Sequence, residues 1–144
     1  MKTIYISGPI TDPATGKPRG GWQKDFLNAE AKLRSMGFRV LNPVDIAQEV
    51  EDVFKWPFNP PTRVDYIMAC LWRMHMAHDE DRLHGVYVIG TIDECLASCG
   101  VRMELLLANL LLVPIYAESR GNYRVDALLT AQLGTENIEE LLKE

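Results

Sequence analysis

The chain has 144 residues, 47% of them hydrophobic and 24% charged, with a net charge of −5. That length holds a single domain, 1–144, with a sizeable core. The absence of a basic surplus excludes general binding to nucleic-acid polymers or anionic membranes, since nothing is present to neutralise their phosphates.

No apolar run approaches the roughly 20 residues of a membrane span, and Met1-Lys2-Thr3 leads into a strand rather than a signal peptide. Three cysteines (Cys70, Cys95, Cys99) without a C-x-x-C pair suit a reducing cytoplasm, with Cys95 and Cys99 read as small buried hydrophobes. Thr3-Ile4-Tyr5-Ile6-Ser7 is a buried strand ended by Gly8-Pro9. Thr11 to Gly21, rich in Gly, Pro and Thr, reads as a flexible loop whose cations Lys17 and Arg19 are solvated. Trp22, Phe26, Ala29, Leu33 and Met36 recur at helical spacing, with Gly37 as the stop. Phe38–Leu41 is a second strand closed by Asn42-Pro43. Val44 to Pro61, with Phe54, Trp56 and Phe58 among prolines and acids, reads as a structured loop or lid over a pocket.

Thr62 caps a helix from Arg63 to about Ala77, with Tyr66, Cys70, Met74 and Ala77 on one face. His78 to Arg82 is a solvated charged stretch, Gly85–Ile89 a third strand, and Gly90 to Ala97 a loop or short helix. A helix carrying Glu104 follows, then a strand over Leu112–Tyr116, a turn, a helix over Tyr123–Leu133 and a short terminal helix over Ile138–Leu142. Strands alternating with helices imply an α/β fold: a doubly wound, flavodoxin- or Rossmann-like parallel sheet of four to five strands in three α/β/α layers. Ligands of such sheets sit beyond the carboxyl ends of the strands where strand order reverses. The end of the first strand and the loop after the third therefore line one crevice, which joins Tyr5 and Ser7 to Ser98 and Glu104.

Glu104 is a lone carboxylate on an apolar helix, six residues after Ser98 and four after Gly100. Open backbone N–H groups at a small-residue helix start suit an anion or a sugar hydroxyl. A carboxylate one turn later suits attack on, or stabilisation of, an electron-poor sugar carbon as its leaving group departs. The alternative is a surface glutamate or one paired with Arg102. Ser119-Arg120-Gly121 echoes the motif, but Val125 stands where its acid would be, with Asp126 one place off.

Tyr5-Ile6-Ser7-Gly8-Pro9-Ile10-Thr11, Asn42-Pro43, Gly85-Val86-Tyr87-Val88 and Ser98-x-Gly100-x-x-x-Glu104-x-x-x-Ala108 stand in the order seen in the nucleoside 2-deoxyribosyltransferase superfamily. Over about residues 3 to 116 the chain resembles it, most of all its small "YISGP" branch, often phage-borne. The resemblance implies cleavage or transfer at the N-glycosidic bond of a (deoxy)nucleoside or nucleoside 5′-monophosphate. Glu104 matches the nucleophile toward C1′, and Tyr5 the phenol that orients it. Gly8 and Pro9 match the turn that approaches the substrate, and a serine at Ser98 matches members that contact a 5′-phosphate. Members of the superfamily complete their sites across subunit contacts, which implies a homodimer or larger assembly. Residues 105–112 and the Asn122–Tyr123 region are candidate contacts.

On this reading Ser7 to Pro9 and Ser98 to Gly100 cradle sugar and phosphate, Trp56 stacks on the base, and neither a metal nor an organic cofactor is required. Trp22 is read as helix core. The chain departs from the family at Tyr66-Ile67-Met68-Ala69-Cys70-Leu71, where Cys70 replaces the usual aspartate, and at His84, where a second aspartate usually opens the third strand. Asp79, Asp81 or Asp93 is then left to supply the acid, because a base departs with difficulty unprotonated. Without one, the chain is a non-catalytic nucleotide-binding module of the same fold, or a partner-binding domain in which Glu104 is incidental. His75, His78 and His84 lack a fixed third metal ligand and are read as a solvated helix end.

Overall fold

Five residues, Thr3–Ser7 (β1), form the central strand, buried on both faces by alternation. Ile4 and Ile6 point into one core with Phe26, Leu33 and Phe38; Tyr5 points into the other with Cys70, Val101 and Leu105. The computed structural model describes residues 1–53 and 60–118, together with Leu142. Around β1 the order of elements is α1 (Trp22–Ser35), β2 (Arg39–Leu41), α2 (Pro43–Val53), α3 (Arg63–Asp79), β3 (Leu83–Val88), α4 (Ile92–Ala97), α5 (Cys99–Leu110) and β4 (Ile115–Ala117). The sheet is open and wholly parallel, in the order β2-β1-β3-β4. Register runs Tyr5↔Leu41 and Tyr5↔Val86 beside β1, then Val88↔Ala117 at the β4 edge.

The step from β1 to β2 runs opposite to the steps that lead to β3 and β4. Crossovers of one hand then place α1 on one face and the later helices on the other, as the two cores divide. The reversal lies between β1 and β3. Thus the three-layer, doubly wound architecture read from the sequence is present. Among the described residues no helix is long and apolar enough to cross a membrane.

α1 ends as its Gly37 anticipates. Gly37 takes φ +96°, its N–H donates to Arg34 O, and Phe38 N–H reaches back to Leu33 O at 3.1 Å. This closure sets the buried Phe38 against Leu33. The preceding loop is not loose. Thr11 and Pro18 form an antiparallel bridge, Arg19 N–H donates to Ile10 O at 2.7 Å, and the Arg19 guanidinium pairs with Glu94 rather than facing water alone.

The first half of the expected lid is a helix, α2. Asn42 Oδ1 accepts from Val44 N–H at 2.9 Å, and Pro43 takes the first helical position, where its missing N–H costs nothing. Asn42-Pro43 therefore starts a helix as well as ending a strand. Ile46 and Val50 bury its inner side, and Tyr66 Oη of α3 donates to Glu51 Oε1 at 3.2 Å. Thr62 caps α3 in a reciprocal box with Asp65. Phe54, Trp56 and Phe58 lie outside the described residues, as do the helices and turn expected after Glu118.

β3 begins at Leu83, two residues before the expected start, because Thr3 N–H donates to His84 Nδ1 at 3.1 Å. α5 runs to Leu110 and is closed by Leu111 and by Leu112 at φ +58°, so β4 starts at Ile115 rather than Leu112. Cys95 is buried as expected; Cys99, on the next helix, is exposed.

Candidate functional site

Tyr5 and Ser7 are two residues apart on β1, so both side chains leave the same face of the sheet. That face is covered by α3 and α5. Ser98 starts α5: its Oγ accepts from Val101 N–H at 3.3 Å, and its carbonyl accepts from Arg102 N–H. Two turns of helix bury Val101, Glu104, Leu105 and Ala108 on one side. This places the Glu104 carboxyl over β1, where Ser7 Oγ donates to Glu104 Oε1 at 3.3 Å. Tyr5 and Ser7 are fully buried and Glu104 is 7% exposed.

Burial governs the electrostatics. It pushes Glu104 from 4.5 up to about 8, although the Tyr5 and Ser7 hydroxyls pull partly in the other direction. Burial also holds the Tyr5 phenol well above its usual value, helped by the nearby Glu104 carboxylate and then Cys70. The Cys70 thiol is pushed up to about 12 by burial and by the Glu104 charge. Cys70 is thus the fourth member of the cluster. Its inward position was legible from the Tyr66-Cys70-Met74 spacing, but its proximity to Tyr5 and Glu104 depends on how α3 and α5 dock.

Two atoms in the cluster have no aligned hydrogen-bond partner: Tyr5 Oη and Glu104 Oε2. Glu104 forms no ion pair among the described residues, and Arg102 is exposed rather than paired with it. A carboxyl that titrates near neutrality, with one oxygen fixed by a serine and the other uncommitted, can act as nucleophile, base or acid.

The other candidates fall at different places. Ser7, read as a substrate contact, is closed off from solvent and bound to Glu104. Gly8 is needed for packing, since a Cβ there would lie 2.5 Å from Ile89 Cγ1. Pro9 is buried behind it. At Gly100 a Cβ would meet Ile67 at an ordinary 3.7 Å, so no neighbour there demands glycine. Trp56 is outside the described residues. His84 sits at the amino end of β3, far along the strand from the crevice, bound to Thr3. Of the replacement acids, Asp79 pairs with His75, and all three of Asp79, Asp81 and Asp93 are exposed. Among the described residues no three His, Cys, Asp or Glu side chains gather as a metal requires.

A cavity of about 480 Å³, within the usual range for small-molecule sites, opens on the α1 side of the sheet. Pro9, Phe26, Ala29, Lys32, Ile89 and Gly90 line it, with Arg19 and Glu94 at its edge. It lies at the same carboxyl ends of the strands, but Tyr5, Ser7 and Glu104 are not part of its wall. Five segments distant in sequence build it, and no local pattern announces it. Comparison with family models, curated proteins and solved structures finds no match to this chain.

Proposed function

We propose that the chain cleaves or transfers at the N-glycosidic bond of a (deoxy)nucleoside or a nucleoside 5′-monophosphate, with Glu104 as nucleophile. The observation that carries this reading is the buried Glu104 carboxyl, fixed on one oxygen by Ser7, beside the Tyr5 phenol and at the end of the sheet where ligands of such folds bind. Glu104 Oε2 forms a bond to C1′ as the C1′–N bond breaks and its electron pair leaves with the base, which takes up a proton. Water or a second base then attacks C1′, the ester bond breaks, and the carboxylate is returned. Ser7 and Tyr5 orient the carboxylate and stabilise its charge. The first turn of α5, at Ser98 and Gly100, faces the sugar or phosphate. The same resemblance to nucleoside 2-deoxyribosyltransferases that motivates this assignment supplies its substrate class.

A second reading is a nucleotide-binding module without turnover. Cys70 favours it, because a thiol pushed up to about 12 is a poor proton donor to a departing base. The two readings separate on one experiment. Protein mixed with a panel of deoxynucleosides and their monophosphates is quenched in acid and its intact mass measured. The enzyme reading requires a deoxyribosyl or deoxyribosyl-phosphate adduct that maps to Glu104 and is absent in Glu104→Gln. No adduct and no released base, with a raised melting temperature in the presence of a nucleotide, establishes the binding module instead.

A further inference from the structure

α3 is apolar on two opposite sides. Its inner side packs Cys70 and Met74 against the sheet. Along its outer side Val64, Met68, Trp72 and Met76 follow at steps of four, 65%, 55%, 60% and 37% exposed, with no charged residue in the row. α5 packs beside it, with Gly100 against Ile67, and repeats the arrangement. Val101, Leu105 and Ala108 are inside; Met103, Leu106 and Leu110 are outside, the last 71% exposed.

A helix that is apolar all round is a buried helix, and here two neighbours in one layer share that property. The other layer provides the contrast: α1 exposes Gln23, Lys24, Asp25, Asn28 and Arg34, with Leu27 the one large exposed apolar side chain among its residues. The seven outer side chains of α3 and α5 present on the order of 700 Å². That exceeds the roughly 300–600 Å² of a monomer's largest apolar patch and approaches the roughly 800 Å² per partner of a stable complex.

We propose that the outer face of α3 and α5 is the interface of a homodimer, with Trp72 at its centre. A two-fold axis near Trp72 lays the row on itself in antiparallel fashion, apolar on apolar, over the about 18 Å from Val64 to Met76. This face includes part of the leucine-rich 105–112 stretch but is centred on α3, and it stands independently of the chemistry proposed for Glu104.

Sedimentation velocity on the full chain tests it. The wild type is expected near 33 kDa, twice the 16.3 kDa chain mass. Trp72→Glu and Met68→Lys are each expected to weaken the dimer at least 100-fold and sediment as monomers with unchanged circular dichroism. A wild type that is monomeric throughout the micromolar range, or a dimer that survives both substitutions, overturns the proposal. Hydrogen exchange of the wild type needs no substitution. It is expected to show protection over residues 63–79 and 99–110 that weakens on dilution, and protection independent of concentration overturns the proposal as well.

Discussion

Replacing Glu104 with glutamine keeps the shape of the side chain and its acceptor for Ser7, but removes a charge that the fold has to bury. The wild-type carboxyl moves from 4.5 to about 8 on folding. An acid with a higher pKa in the folded state makes folding take up a proton, so its contribution to stability falls as pH rises through this window and levels off above 8. At about 1.4 kcal/mol per pKa unit, the full cost is about 5 kcal/mol, of which about 3 kcal/mol is already present at pH 7 and less than about 1 kcal/mol at pH 5. Glu104→Gln is therefore expected to be more stable than wild type by a margin that widens from pH 5 to pH 9. With a urea slope of about 2 kcal/mol/M, the midpoint gap grows by about 1 M between pH 5 and pH 7. Urea melts of both proteins at pH 5, 7 and 9 measure it. A gap independent of pH would mean that Glu104 is ionised and satisfied in the folded chain, and the reasoning fails.

Tyr5→Phe removes a buried hydroxyl without an aligned partner, so the melt is expected to be unchanged or improved by about 1 kcal/mol, while base release drops at least tenfold. An equal loss of stability would show that the phenol serves the fold instead. Ser7→Ala leaves Glu104 Oε1 without its donor. Above pH 8 it is expected to cost about 1–3 kcal/mol and to move the pH dependence of stability upward, which the same urea series reads. Gly8→Ala places a methyl 2.5 Å from Ile89 and 3.0 Å from Phe26. A loss of about 1–3 kcal/mol in thermal melts is expected from this overpacking, and an unchanged melt would place Gly8 outside the packed core.

β1, α1 and α3 were legible in the sequence because their apolar spacing is regular and their ends carry Gly37 or Thr62. α2 was not. Its inner side rests on Pro43, Ile46 and Val50, and the prolines and aromatics further along gave the whole stretch the composition of a loop. The boundary between α5 and β4 was misplaced for the opposite reason. Leu106, Leu110 and Leu112 are apolar yet exposed, so the run from Leu105 to Ile115 carries no polar mark where the helix stops. Tyr5, Ser7 and Glu104 could be joined beforehand, because strand alternation and the reversal of strand order together fix which face and which end they share. That Ser7 holds the carboxyl, that Cys70 adjoins it, and that the described cavity opens on the α1 side all depend on helix docking, which spacing does not encode.

Release of free base from a panel of deoxynucleosides and their 5′-monophosphates, followed by chromatography across pH 5 to 9, tests the role of Glu104 most directly. The account predicts release by the wild type at a rate that climbs as pH passes through about 8, and none by Glu104→Gln. No release from any member of the panel, or equal release by the glutamine variant, would contradict it.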